Sequence, residues 1–238
     1  VICRIILLNR YDIINHAAAF LKAKDYLEIG CAYNECFDKI KVPCKTGVDP
    51  YSGGTIRMTS DDFFKVNLQK FDIVFIDGAH EHQQVWRDFC NAAKFLRPRG
   101  FIFLHDMLPW GEAGAVWPLP DKETLKDPDR PRCGTSWRAI FDIVKLKREF
   151  FIIDRETGIG VWRNREDYSH AAMNFDSTTI TYQEFQEQRK HLKILDSTEG
   201  LKLMLSKLPT HPAKNRRKTK AFSHPLGLHR GETQHVLN

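Results

Sequence analysis

The sequence predicts an α/β protein with a doubly wound, mostly parallel sheet, and three observations carry that reading. First, Tyr26-Leu-Glu-Ile-Gly30, Phe71-Asp-Ile-Val-Phe-Ile-Asp-Gly-Ala-His80 and Phe101-Ile-Phe-Leu-His105-Asp106 are short apolar runs that stop abruptly at acidic, Gly or His residues. A strand buried on both faces reads as a continuous apolar run. Second, these runs alternate with amphipathic segments, the pattern of βαβ units. Third, ligands in open α/β sheets sit outside the carboxyl ends of the strands, so charged residues collected at several such ends predict the lining of one pocket.

Taken in order, Ile5, Ile6, Leu7, Ile13, Ile14 and Leu21 predict an opening helix that ends before Lys22, and Tyr26–Ile29 is the first strand. Asn34–Ile40 reads as a short helical piece and Thr46–Asp49 as a second strand closed by Pro50. After Gly53-Gly54, Ile56–Met58 leads to a helix start at Thr59-Ser60-Asp61-Asp62, so Asp61–Gln69 is predicted helical. Phe71–Ile76 is counted as the fourth strand. Val85, Phe89, Ala92, Ala93 and Leu96 stand at helical spacing and predict a strong helix over His82–Leu96. Arg97-Pro-Arg-Gly100 breaks it before a strand at Phe101–Leu104. Residues 107–136 hold five of the eleven prolines together with Trp110 and Trp117. A loop of that length inside a compact domain is usually functional, and its tryptophans suit a lid or a substrate wall. Trp137–Leu146 is predicted helical, Phe150–Asp154 and Gly158–Trp162 an antiparallel hairpin closing the sheet, and Tyr182–Leu205 a charged outer helix.

The totals narrow the function classes. At 238 residues, 42% hydrophobic and 28% charged, the chain suits one globular domain with appendages. The expected division is a principal domain over 1–165, a C-terminal helical extension over 166–206 and a basic, disordered tail over 207–238. The tail carries seven Lys/Arg against one Glu, so the net charge of +6 belongs to it, and residues 1–206 balance 29 basic against 29 acidic side chains. A neutral body argues against a broad phosphate-binding face, so nucleic acid is not the expected partner. No apolar stretch is long enough to span a bilayer and no signal peptide is evident. Val1 in place of Met is what a fragment or a processed form would show. The six cysteines show no CxxC pair and no metal-ligand spacing; they are read as reduced, with a cytoplasmic setting.

The site residues come from the strand ends. Glu28 and Gly30 close the first strand, where Gly lets the backbone approach a ligand and a carboxylate accepts from an ammonium group. Asp49 ends the second strand about 20 residues on, the place of a ribose-binding acid in nucleotide-binding α/β folds. The loop Gly30-Cys-Ala-Tyr-Asn-Glu has only one glycine, which fits a pyrophosphate cofactor poorly. A cofactor without phosphates suits it better, and the cationic S-adenosylmethionine (SAM) fits a pocket edged by Glu28, Asp49, Asp61 and Asp77.

At this point the chain resembles the class I SAM-dependent methyltransferases, in particular the small-molecule and sugar O-methyltransferase-like branch that includes the macrolide-sugar enzymes. The resemblance rests on Tyr26-Leu-Glu-Ile-Gly, Gly47-Val-Asp-Pro-Tyr-Ser-Gly-Gly, Met58-Thr-Ser-Asp-Asp-Phe-Phe, Phe71-Asp-Ile-Val-Phe-Ile-Asp-Gly-Ala-His, Leu96-Arg-Pro-Arg-Gly, Leu104-His-Asp-Met-Leu-Pro and Gly134-Thr-Ser-Trp-Arg-Ala-Ile, in that order over residues 20–165. It implies a seven-stranded Rossmann-like methyltransferase sheet with SAM across the ends of strands one to four. Glu28 and Gly30 would meet the methionine end, Asp49 the ribose, and Ser60 and Asp61 the adenine. Asn34 replaces a second glycine usual in the first loop, and Asn tolerates left-handed backbone geometry. In related sugar methyltransferases a D-x-x-H segment supplies a metal-binding Asp and a base His, with an acidic pair after strand five. Asp77, His80 and Asp106 match those roles; His105 stands where an acid would be, which puts the identity of the metal in question, because Mg²⁺ prefers oxygen ligands and His suits Mn, Fe or Zn. His82 is expected on the surface.

The resulting expectation is SAM-dependent methyl transfer to a hydroxyl of a small molecule or glycan. His80 would be the base, Asp77 would serve both SAM and, with His105 and Asp106, a divalent cation such as Mg or Mn. Two rival readings stand beside it: an RNA methyltransferase holding its substrate with the basic tail, and a non-catalytic adapter working through the charged 182–205 segment.

Overall fold

The sheet in the computed structural model, which describes residues 8–119, 130–166 and 176–206, has strand order β2-β1-β3-β4-β6-β5-β7. Its strands are β1 (Asp25–Ile29), β2 (Cys44–Val48), β3 (Phe71–Ile76), β4 (Leu96–Leu104), β5 (Arg148–Ile153), β6 (Ile159–Glu166) and β7 (Ile194–Leu195). β1 pairs in parallel with β2 and β3, and β3 with β4. The reversed strand β6 lies between β4 and β5, antiparallel to both, and β7 runs parallel to β5 at the far edge. This is the mostly parallel α/β sheet that the apolar runs predict, with the seven strands and double winding that the resemblance implies.

Each central strand is apolar on both faces because helices cover both. On one side Val74 and Ile76 of β3, Ile102 and Leu104 of β4, Ile152 of β5 and Trp162 of β6 pack with α2 (Ser60–Val66), α3 (His82–Phe95), α4 (Ala139–Lys145) and Phe185 of α5 (Tyr182–Gln188). On the other, Ile73, Phe75, Phe101, Phe103, Phe151 and Val161 meet α1 (Arg10–Leu21) and α6 (Ser197–Met204). Fully burying such side chains contributes roughly 1.5–3 kcal/mol each, which is why the strand runs dominate the sequence signal.

Caps explain several boundaries. Asn9 starts α1 with a capping box to Asp12, and the left-handed Lys22 ends it. Thr59 caps α2 by accepting from the Asp62 amide. The structure corrects the sequence reading in three places. Between β2 and β3 the chain makes only one parallel bridge, Val48 to Ile56, in place of a strand, because Gly54 folds back onto Gly47. The segment 182–205 is not one helix: α5 passes through a 3-10 turn at Arg189–His191 to β7 and then α6, which Asp196 caps. His82 is buried, with Nε2 2.7 Å from Asp142 and its amide donating to Thr135. Ile5–Leu7, the middle of the Pro-rich loop and the basic tail lie outside the described residues. Among the described residues no helix is long and apolar enough to cross a membrane, and Cys31, Cys36, Cys44, Cys90 and Cys133 form no disulfide.

Candidate active site

The carboxyl ends of β1 to β4 converge on two cavities that share Gly30, Ala32, Asp77 and His80. One, of about 500 Å³, is lined by Asp49, Ser60 and Asp61 together with Tyr51, Gln84 and Asp88. The other, of about 440 Å³, is lined by Glu28, His105 and Asp106, by Arg10, and by Arg130 and Arg132 of the Pro-rich loop. The structure thus brings the sequence-predicted residues to one end of the sheet but divides them between two compartments that meet at Gly30 and Asp77.

Gly30 has φ +83, and a Cβ there would lie 2.2 Å from the Asp77 carbonyl oxygen. Its requirement is therefore the close passage of the β1 loop over the end of β3, before any ligand is considered. Asn34 adopts φ 63, the left-handed geometry that Asn tolerates, and its Oδ1 accepts from the Gly54 amide at 2.7 Å. Asp49 accepts from the amides of Ala32 (2.9 Å), Tyr51 (2.8 Å) and Ser52 (2.9 Å). Burial would raise its pKa, but the amide hydrogen bonds outweigh burial and hold it below the usual carboxylate value. It is thus an ionised acceptor that also ties the β1 loop to the β2 loop.

Glu28 is almost wholly buried, and Tyr26 Oη donates to its Oε2 at 2.5 Å. Burial, opposed by that hydrogen bond and by Arg10 but reinforced by Asp77, pushes its pKa up to about 7. Ser60 accepts from Gln84 Nε2 at 3.1 Å, and Asp61 lies 3.6 Å from Arg87. Asp88, buried behind them, is raised to about 6, chiefly by burial.

On the other side, His80 Nδ1 faces the Arg132 carbonyl oxygen at 2.7 Å. A carbonyl only accepts, so Nδ1 carries a hydrogen and Nε2 faces Asp106 Oδ2 at 3.3 Å. Thr157, from the β5–β6 turn, donates to Asp106 Oδ1 at 2.5 Å. His105 spans two carboxylates, with Nδ1 3.1 Å from Asp77 and Nε2 3.1 Å from Glu156. Burial would lower its pKa, but Asp77 and Asp106 raise it well above the usual imidazole value. The same histidine pair and Arg10 hold Asp77 below the ordinary carboxylate value, against the effect of burial. Arg10 closes the network, donating through Nη1 and its amide to Glu156, both at 2.8 Å.

One atom each from Asp77, His80 and Asp106 lie within 4.8 Å of one another, a spacing that can hold a cation. His105 is not part of that group; its ring nitrogens face Asp77 and Glu156. The set is one nitrogen and two oxygens, which suits Mn²⁺ or Fe²⁺ better than the all-oxygen preference of Mg²⁺. Sequence reasoning missed Arg10, Tyr26, Asp88 and Glu156. Asp88 had a visible signal, since it falls in the Val85–Phe89–Ala92 stripe where an acid is out of place.

Residues 16–107, which run from α1 to just past β4, match a family model described as a methyltransferase domain. Over that stretch the chain is similar to methyltransferase domains. No curated protein matches it in sequence. Among solved structures, the domain is similar to an O-methyltransferase from Bacillus cereus in complex with SAH (S-adenosylhomocysteine), with 14% identity and a TM-score of 0.44 over 66% of this chain and 82% of that one. It is also similar to the Podospora anserina methyltransferase PaMTH1, with 12% identity and a TM-score of 0.47 over 66% of this chain and 78% of that one. MycE from the mycinamycin biosynthetic pathway, solved with Mg, SAH and mycinamycin VI, has 17% identity and a TM-score of 0.44 over 69% of this chain and 51% of its own.

Proposed function

We propose that the methyltransferase domain transfers the SAM methyl group to a hydroxyl of a small molecule or glycan, with His80 as the general base. The observation that carries this reading is the His80 imidazole, which lines both cavities with Nδ1 engaged by the Arg132 carbonyl, leaving Nε2, 3.3 Å from Asp106, as the basic nitrogen. SAM supplies an electrophilic methyl group on a sulfonium leaving group. The adenosine end fits the Asp49 cavity, where the ionised carboxylate accepts from ribose hydroxyls, and Ser60 and Asp61 edge the base. The ammonium group fits beside Glu28. The acceptor then occupies the cavity beyond His80. Its hydroxyl gives its proton to His80 Nε2 while the oxygen–carbon bond forms and the carbon–sulfur bond breaks. Proton removal by a positioned base contributes roughly 10²–10⁴-fold, and alignment of oxygen, carbon and sulfur supplies much of the rest.

Asp77 and Asp106 would hold a divalent cation where one is used, leaving the His80 Nε2 lone pair for the acceptor proton, and the cation would lower the pKa of the acceptor hydroxyl. Asp77 then serves two compartments, at the SAM junction and at the cation. The neutral charge of residues 1–206 speaks for a small or uncharged-polymer acceptor over RNA.

His80→Ala should lower kcat by roughly 10²–10⁴ and leave SAM affinity intact. Activity lost in excess chelator and restored by Mn²⁺ or Mg²⁺ would establish the cation. Full activity in chelator would remove the cation and spare the base, whereas full activity in His80→Ala would leave positioning alone.

A further inference from the structure

Arg10 stands outside the stretch that matches the family model, yet it lines the same cavity as Glu28, Gly30 and Asp77. One carboxylate fixes both its backbone and one end of its side chain: the Arg10 amide and Nη1 each donate to Glu156 at 2.8 Å. Arg155 Nε, donating to the Leu8 carbonyl at 3.0 Å, ties the preceding backbone to the same turn. Glu156 is not among the described residues that line the cavity. The other edge of the guanidinium, Nε with Nη2, is turned toward two acids that do line it. Nη2 is 3.5 Å from Glu35 and Nε is 3.9 Å from Asp77. These are ion pairs without a close hydrogen bond at Nε, which is buried and finds no acceptor. A buried donor without an acceptor is a deficit that a ligand can make good. The Nε–Nη2 edge is moreover one of the forks by which a guanidinium takes a carboxylate in two parallel bonds. The Glu35 side chain is 75% exposed, so water replaces its loose pairing at little cost.

The same cavity therefore presents an acid and a cationic fork at one end of the sheet. Arg10 lies near enough to Glu28 to act on its charge, which is the proximity that the two ends of an α-amino acid require. We propose that Arg10 binds the α-carboxylate of the SAM methionine end through its Nε–Nη2 edge, while Glu28 takes the ammonium group. The proposal rests on the SAM reading above and adds to it the partner of the second charge. The opening helix α1 then belongs to the cofactor site, and Glu156, arriving from the β5–β6 turn, positions the arginine by holding Nη1.

The test titrates the full chain by calorimetry with SAH and with decarboxylated SAH, in which a 3-aminopropyl group replaces the amino-acid chain. The analogue keeps adenosine, sulfur and ammonium group and lacks only the carboxylate. Wild type is expected to bind SAH about tenfold or more tightly than the analogue. In Arg10→Gln that advantage should fall below about threefold, while the affinity for the analogue stays within about threefold of wild type, which also reports that the variant is folded. Arg10→Lys keeps the charge and loses the fork; its advantage is expected to be reduced, and it serves where Arg10→Gln does not fold. Equal affinity of wild type for the two ligands overturns the proposal without any variant. An SAH advantage that survives both substitutions overturns it too, as does a loss shared equally by the two ligands, which would make Arg10 a structural clamp. Wild type that binds neither ligand overturns the SAM reading, and this proposal with it, whereas binding of both without preference overturns the proposal alone.

Discussion

Glu28 stands under two opposed demands. Its burial favours the neutral acid, whereas on the proposed function the ammonium group of SAM would favour the carboxylate. Raised from 4.5 to about 7, the folded carboxyl holds its proton more tightly than the unfolded one. Below about pH 4.5 both states are protonated and no stability is lost. As pH rises through that window to about 7, the ligand-free protein loses up to about 3 kcal/mol on this account. Glu28→Gln keeps an acceptor for Tyr26 and removes the titration. Denaturant unfolding should therefore find the variant equal to wild type near pH 4.5 and more stable near pH 8. A difference that does not grow with pH would refute the assignment. Binding of SAM near pH 7 should also release a proton from wild type, seen as a buffer-dependent heat that Glu28→Gln lacks. Asp49 presents the complementary case, since it is already ionised and bonded to three amides. Asp49→Ala should weaken SAM binding by about tenfold or more, each lost hydrogen bond being worth roughly 1–3 kcal/mol. Unchanged affinity by calorimetry would remove the ribose assignment. Asp49, Glu28 and His80 were legible because strand runs end on them. The partners that set their chemistry were not: Arg10, which acts on Glu28, meets Glu156 across 146 positions, and His80 meets the Arg132 carbonyl across 52, separations that no local pattern encodes.

At the scale of elements, the turn after β1 is the least tolerant piece of the site. Gly30→Ala would place a methyl group against the Asp77 carbonyl and impose a left-handed backbone that costs an L-residue about 1–2 kcal/mol before the clash. The expected outcome is a lowered melting temperature together with loss of SAM binding, because β1 and β3 can no longer pass so closely. A variant that keeps wild-type stability and affinity would show that the two loops move apart freely. Strands and helices with strong periodicity were readable: β3 and α3 lie almost where the apolar pattern puts them. Ile56–Met58 misled for a physical reason. Three apolar-flanked residues suffice to suggest a strand, but two left-handed glycines, Gly53 and Gly54, turn the chain back on β2. The 182–205 segment misled likewise, since its charged residues hid the short edge strand that pairs Ile194 with Ile152.

For the molecule as a whole, the described C-terminal segment is part of the core. Phe185 packs 4.8 Å from Trp137, Met204 is fully buried, and β7 extends the sheet. A chain ending at Glu166 should therefore lose several kcal/mol of stability, with Phe185 alone comparable to a Phe→Ala core substitution of about 3–5 kcal/mol. A chain ending at Ser206 is expected to keep its melting temperature, since the sequence beyond it is largely polar and basic. Thermal unfolding of the two truncations decides the point; a large loss on ending at Ser206 would place part of the core beyond it.

The hairpin of β5 and β6 has a bearing on how the site comes into being. Its turn delivers Glu156 to His105 and Arg10, and Thr157 to Asp106. During synthesis β1 to β4, with their full set of acidic strand ends, leave the ribosome before that turn does. Until Ile159–Glu166 slots in beside β4, Asp106 lacks its hydroxyl donor and His105 one of its two carboxylates. The nascent chain thus carries a half-built charge cluster that only a late, long-range pairing completes.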